Sequence, residues 1–473
     1  MTPEVQERRD HAVVLGAGIA GLVAARVLSE TYESVTVVER DDAPRGATPR
    51  NGVPQGQHFH SFMSSGSQTL ERLFPGILDE LVDGGATVCD EGDLSHIRLR
   101  IGPREMLNRW EKFSDPETFK LYLATRPFLE FHIRQRVQSI GNVRFLDGHD
   151  VVEPMTEEHR VTGVRAARRS TGLVTTLISD LVVDATGRKP RTLTFLDRLG
   201  YERPSEIRVT APVTYASQLL RVHADVDADA DKLAFINSAP GYPYGGGIAR
   251  CENNTIMMTL GAFDMEEPPT SFTEMVLFAE QFVPSGMLGT VRSAIPISDV
   301  HTFRYREAVW RRYDQMPQFP EGLLVIGDAI CSLDPIKGQG MTMAIFEAIT
   351  LRDCLMEGDA DLARRYFGAV ATRVNSVWQQ NKMTAPQHSD PPADAPVAQR
   401  VGWRLLAWWT GKVLDAARDD IRVTETILRV NQLHDSPSQM QRPGFLWRVA
   451  THRWRRPHTP SKTPCRQLAV SEA

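Results

Sequence analysis

The sequence predicts an α/β protein, in which a Rossmann-like nucleotide-binding domain is interleaved with a mostly β second domain and followed by a helical C-terminal region. Three observations predict it. Residues 11–40 run from a short β-branched segment through a glycine-rich turn and a helical pattern to a second β-branched segment. Two later apolar runs, at 180–184 and 321–326, each lead into a small-residue turn bearing an aspartate. Between those runs, residues 205–310 are mostly strand-like. The chain has 473 residues, enough for two or three intergrown domains. With 41% apolar and 24% charged residues, wholesale disorder is excluded. A net charge of −5, from 54 basic and 59 acidic residues, offers no general attraction to nucleic acid. Cys89, Cys251, Cys331, Cys354 and Cys465 form no C-x-x-C pair, so neither a disulfide framework nor a bound metal is expected. The opening MTPEVQERRDH is mixed in charge and unlike a signal peptide. The apolar stretch 12–25 contains three glycines and falls short of the ~20 residues a bilayer requires. A cytoplasmic location is expected.

The first element is Val13-Val14-Leu15, which stops at Gly16-Ala17-Gly18-Ile19-Ala20-Gly21. Such a G-x-G-x-x-G turn between strand and helix is the dinucleotide fingerprint. Gly16 permits the tight turn, Gly18 the approach of a diphosphate to the backbone, and Gly21 close helix–strand packing. The helix N-terminus adds free N–H groups and partial positive charge. The second strand, 34–38, delivers Glu39 and Arg40. A carboxylate there accepts hydrogen bonds from ribose hydroxyls and disfavours a 2′-phosphate. Gly16, Gly18, Ile19, Ala20, Gly21, Glu39 and Arg40 are therefore candidate cofactor-binding residues.

The other two turns distinguish FAD from NAD. The strand 180–184 delivers Asp184 to Ala185-Thr186-Gly187-Arg188, making Asp184 and Gly187 candidates beside the nucleotide. The strand ending at Gly327-Asp328 is followed by Pro335, Gly338, Gly340 and Met341 and then by a helical run. A carboxylate after a strand suits the ribitol of a flavin, and a glycine turn opening a helix suits negative charge on the flavin ring.

Together with Arg50-Asn-Gly-Val-Pro-Gln-Gly-Gln-His-Phe-His60, these segments resemble FAD-dependent monooxygenases of the para-hydroxybenzoate hydroxylase-like fold. The likeness is closest to bacterial polyene epoxidase-type flavin monooxygenases, and it runs over about 11–360. It implies an FAD-binding domain and a C4a-hydroperoxide of the flavin. This intermediate would insert one oxygen atom of O2 into a hydrophobic alkene- or aromatic-containing small molecule. It further implies Arg126 at the FAD ribose or diphosphate, Arg50 in the same region, Asp328 at the ribitol, and the turn 338–341 under the isoalloxazine. NADPH, NADH or a separate flavin reductase would supply electrons. His58 and His60, with imidazoles that titrate near neutrality, are candidates for proton delivery. The chain departs from the family at Gln57-His58-Phe59-His60, where an arginine is usual before the first histidine.

Only one G-x-G-x-x-G is present, and no redox cysteine pair, which argues against a flavin disulfide reductase. The absence of Trp-x-Trp, with Lys112 the first lysine, argues against a flavin halogenase. A flavin-dependent reductase or dehydrogenase of a lipid or polyene, and a non-catalytic flavin-binding protein, remain as alternatives.

The expected organisation is an FAD-binding domain at 8–205 and 300–370, a β substrate domain at 206–299, a helical region at 371–456 and a disordered tail at 457–473. Pro75 is expected to separate two short helices within 60–82. Strands are expected at 209–215, 218–222 and 255–260, and 241–248 is expected to be a loop. The proline-rich 384–396 reads as a linker. Trp403, Trp408 and Trp409 open the helical region, and Trp447, Trp454 and neighbouring arginines close it. That end could make a peripheral membrane contact.

Overall fold

The computed structural model describes residues 9–89, 92–223, 231–239, 241–263, 265–384 and 397–452. Residues 385–396 of the expected linker, Trp454 and the tail 457–473 lie outside the described residues.

Arg9–Leu15 and Tyr32–Val38 bury every residue of their last four positions, as strands covered on both faces must. They form the centre of a five-stranded parallel sheet ordered Leu323–Val325, Leu181–Asp184, Arg9–Leu15, Tyr32–Val38, Val143–Leu146. In its register Leu15 stands beside both Val38 and Asp184, and Asp184 beside Val325. Parallel pairing in this register brings the turn at Gly16, Glu39, the turn at Ala185 and the turn at Gly327 to one edge. That carboxyl edge is where open α/β sheets bind ligands. The helices Ile19–Leu28 and Gly340–Met356 pack on each other within the main core. Helices Ser64–Leu73 and Ile77–Asp83 flank Pro75. A three-stranded antiparallel meander, His149–Glu157, Arg160–Arg168 and Val174–Ile178, is inserted before Leu181–Asp184.

Among the described residues the second sheet has nine strands, antiparallel but for one pairing. The two strands expected at 209–222 are one, Glu206–Arg221, irregular between Thr210 and Val213. The chain reaches this sheet earlier than 206, because Ile97–Ile101 pairs in parallel with Leu233–Asn237. The expected loop at 241–248 is corrected: Tyr244–Cys251 is a central strand. Its glycines admit close neighbours rather than a turn, since a Cβ on Gly247 would lie 2.6 Å from the Phe59 ring.

The C-terminal helices divide their apolar faces between the two cores. Leu362–Thr384 buries Tyr366, Phe367, Val370, Val374 and Trp378 in the core of the parallel-sheet domain. Val413, Ala416 and Ala417 of Val397–Asp419 pack instead with Leu94, Ile97 and Met257 of the second sheet and its approach. Leu405, Trp408 and Trp447 are exposed. Among the described residues no helix is long and apolar enough to cross a membrane.

Candidate active site

A cavity of about 1250 Å³ runs along the carboxyl edge of the parallel sheet and is walled on its other side by Tyr215, Phe303 and Tyr305 of the large sheet. This exceeds the roughly 300–1,000 Å³ typical of one drug-sized ligand. Its lining brings together Gly16, Gly18, Ile19, Ala20, Glu39, Arg40, Arg50, Arg126 and Gly187 with Asp328, Pro335, Gly338, Gly340 and Met341. Two of the expected cofactor-binding residues do not line it. Gly21 is packed under the turn, where a Cβ would stand 1.9 Å from the Gly16 carbonyl oxygen. Asp184 is buried behind the turn it delivers, with 0% exposure.

The first helix leaves its leading N–H groups without carbonyl partners, as every helix does, and they face this cavity through Gly18, Ile19 and Ala20. Glu39 is 4% exposed and accepts from the backbone N–H of Ala17 at 2.7 Å and of Asp41 at 2.9 Å. Burial opposes its ionisation, but Arg50 and these two donors outweigh burial and hold it below the usual carboxylate range. Arg50 pairs with Glu39 at 3.0 Å and Glu130 at 2.6 Å and donates to the Ala17 carbonyl at 2.9 Å. It therefore ties the 41–57 loop to the glycine turn.

Arg126 is the first residue of the helix Arg126–Gln138, capped by Thr125. The sequence could not show what holds that cap. Glu252, from the turn joining two strands of the large sheet, accepts from the Thr125 N–H at 2.8 Å and hydroxyl at 2.5 Å. A carboxylate of one domain thus anchors the helix that presents Arg126 to the other. Glu252→Ala is expected to weaken FAD binding about tenfold and to cost about 1–3 kcal/mol of stability, since it orphans a buried donor. Flavin-fluorescence titration and urea unfolding measure both.

His60 Nδ1 donates to the His58 carbonyl at 2.9 Å, which leaves Nε2 to accept from Arg126 at 3.4 Å. His58 Nδ1 bonds the Ser217 hydroxyl at 2.8 Å, and its ring meets Tyr215 edge-on. The expectation of imidazoles titrating near neutrality is not met. Burial, helped by His301, lowers His58 to about 4, and burial, helped by Arg126, lowers His60 to about 3. Both are neutral at pH 7. His60 lines the cavity; His58 lies behind it.

Asp184 and Asp328 follow equivalent strands but differ in role. Asp184 accepts from the N–H and hydroxyl of both Thr186 and Thr192, between 2.6 and 3.0 Å. Asp328 faces the cavity, and burial raises its carboxyl above the usual range against Arg126, Arg188 and Arg311. Behind it, Glu347 accepts from the Gly327 N–H at 2.5 Å and is pushed up to about 8 by burial. The folded protein thus keeps a proton that the unfolded chain releases above about pH 4.5. Stability from this group therefore falls as pH rises from there and levels off above about 8. Glu347→Gln is expected to melt higher than wild type at pH 8 and to converge with it near pH 5 in scanning calorimetry.

Sequence reasoning also missed Arg311, whose guanidinium pairs with Glu206 at 3.1 Å and donates to the carbonyls of Arg188 at 2.9 Å and Ala329 at 3.3 Å. Nothing in its local sequence distinguishes it from Arg312. The residues present fit FAD. No atom lies within 4 Å of where a Cβ on Gly18 or Gly187 would point, leaving space for a ligand against the backbone. Arg126 Nε and Glu130 Oε2 stand 3.8 Å apart, buried, without hydrogen-bond partners among the described residues.

Comparison with known proteins places the chain in a family. Residues 11–294 match the family model described as FAD dependent oxidoreductase. Protein Rv3254 of Mycobacterium tuberculosis is 33% identical over 96% of each chain. Kynurenine 3-monooxygenase of Salinispora tropica is 24% identical over 74% of each. Among solved structures, the flavin-dependent brominase Bmp2 superposes with a TM-score of 0.63, covering 94% of this chain and 99% of that one. At 16% identity that is a likeness of fold alone.

Proposed function

The chain belongs to the FAD dependent oxidoreductase family, and from that premise we propose that it is a monooxygenase, inserting one oxygen atom of O2 into a small molecule with a hydrophobic alkene or aromatic part. The observation that carries this reading is the continuity of one cavity from the glycine turn at Gly16 to the aromatic wall at Tyr215, Phe303 and Tyr305. Its volume supports a dinucleotide and a second molecule side by side.

In this reading the turn Gly16–Gly18 and the leading N–H groups of the first helix hold the diphosphate, with Arg126 near it. Glu39 retains lone pairs for a ribose. Asp328 serves the ribitol, and the segment from Pro335 to Met341 lies at the flavin ring. When bound, FAD supplies two-electron redox chemistry and reactivity towards O2. The chain's own part is to position the carbon to be oxidised and to exclude water. Tyr305 is buried and Tyr215 and Phe303 are half-buried, which suits both tasks. His60, neutral, with Nδ1 donating to the His58 carbonyl and Nε2 accepting from Arg126, orients that guanidinium rather than delivering a proton as an imidazolium. Epoxidation and hydroxylation would use the same residues, with NADPH, NADH or a separate flavin reductase as the electron source.

The test reduces the FAD-loaded protein anaerobically with NADPH or NADH and mixes it with oxygenated buffer. A transient spectrum distinct from reduced and oxidised flavin is expected. Direct reoxidation without one would favour the reductase or dehydrogenase alternative. Reduction by dithionite but by neither nucleotide would point to a partner reductase.

A further inference from the structure

Most cations around the cavity are already neutralised. Arg50, Arg126, Arg191, Arg203, Arg208 and Arg311 each form an ion pair with a carboxylate. Arg40 and Lys189 are exposed, where water solvates them. Arg188 is different: it is half-buried, lines the cavity, and has no carboxylate at ion-pair distance among the described residues. Its guanidinium lies over the Tyr305 ring at 4.7 Å and donates one hydrogen bond, to the Glu307 carbonyl at 3.3 Å.

The group is held firmly. Asp184 pins the turn before it through Thr186, and Arg311 donates to the Arg188 carbonyl at 2.9 Å. A guanidinium carries five N–H donors in a rigid plane, so stacking on an aromatic face leaves an edge that matches a carboxylate. A partly desolvated charge with unused donors is costly unless an anion completes it. Tyr305, on which it rests, belongs to the same wall as Tyr215 and Phe303, whose ring centroids are 5.5 Å apart.

We propose that Arg188 and the Tyr215–Phe303–Tyr305 wall form a subsite for an anionic aromatic substrate, with Arg188 binding its carboxylate and the rings packing on its planar body. This rests on the monooxygenase reading for the word substrate, but the binding itself does not depend on oxygen chemistry.

The test titrates FAD-loaded protein with 2-naphthoate and with 2-naphthalenemethanol, following perturbation of the flavin absorbance. The wild type is expected to bind the carboxylate at least tenfold more tightly than the alcohol. Arg188→Gln is expected to retain full FAD and lose that preference, and Arg188→Lys to keep part of it. Absence of a preference in the wild type, or its survival in Arg188→Gln, overturns the proposal. So does loss of FAD from Arg188→Gln with FAD retained in Arg188→Lys, which would assign the charge to the cofactor. Failure of the monooxygenase reading would show instead in the oxygen reaction, which this titration does not contain.

Discussion

Gly18→Ala is expected to weaken FAD binding at least tenfold while changing the stability of the apoprotein by less than about 1 kcal/mol, whereas Gly21→Ala is expected to damage both. The two glycines sit three residues apart in one turn, yet their surroundings differ. Gly18 caps the first helix with φ −74°, a value any residue adopts, and a Cβ there meets no atom within 4 Å. The methyl group would occupy only the space assigned to the diphosphate. At Gly21 a Cβ would fall 1.9 Å from the Gly16 carbonyl oxygen and 3.4 Å from the Ala185 side chain. Backbone must move there, and Gly16 is itself packed against the Ala185 turn, where a Cβ would stand 2.9 Å from the Ala185 carbonyl oxygen. Overpacking of this kind costs about 1–3 kcal/mol. Thermal melts of the apoproteins, with flavin titration of each, separate the two effects. Equal loss of apoprotein stability in both variants would show that the space before Gly18 is not reserved for a ligand.

Asp184→Ala and Asp328→Ala are expected to lose FAD for opposite reasons. Removing Asp184 leaves the buried N–H and hydroxyl of Thr192, and the half-buried N–H and hydroxyl of Thr186, without that acceptor. At about 1–3 kcal/mol for each orphaned buried donor, the apoprotein is expected to lose at least about 3 kcal/mol. Asp184→Asn should restore part of this, since its carbonyl can still accept. Asp328 makes no such bonds among the described residues, and burial raises its carboxyl above the usual range. Its ionised form is thus less favourable folded than unfolded, and the sign follows: at pH 7 its removal should leave the apoprotein as stable as wild type or more so. Urea unfolding at pH 7 with flavin stoichiometry distinguishes them. A large stability loss in Asp328→Ala would place it with Asp184 as a structural carboxylate.

The contrast between these aspartates marks where local sequence stops being informative. Both follow a short apolar strand and precede a glycine or small-residue turn, so the same pattern suggested the same role. The deciding groups are Thr192, eight residues on, and Arg126, two hundred residues away. Glu252 shows the limit again. In sequence it is an unremarked residue of a Glu-Asn-Asn turn, and its function comes from Thr125, 127 positions earlier. His58 and His60 were legible as imidazoles near the flavin segment, but their protonation depends on burial, which strand and loop patterns do not report.

Features governed by neighbours along the chain were legible in the residues alone. These are the strand–turn–helix–strand unit at the first glycine turn, the glycines whose geometry that turn requires, the strand-end carboxylates and the family to which they point. Such features follow from backbone sterics and from hydrophobic period, both short-range. Long-range packing settles the rest: which aspartate faces the cavity and which pins a turn, that the glycine run at 245–247 is a strand beneath Phe59, that the C-terminal helices divide between the two cores, and that Arg188 alone among the half-buried arginines of the described cavity lining lacks a carboxylate at ion-pair distance. Each of these depends on which distant groups share a desolvated space, and charge, hydrogen bonding and packing act across that space without regard to position in the chain.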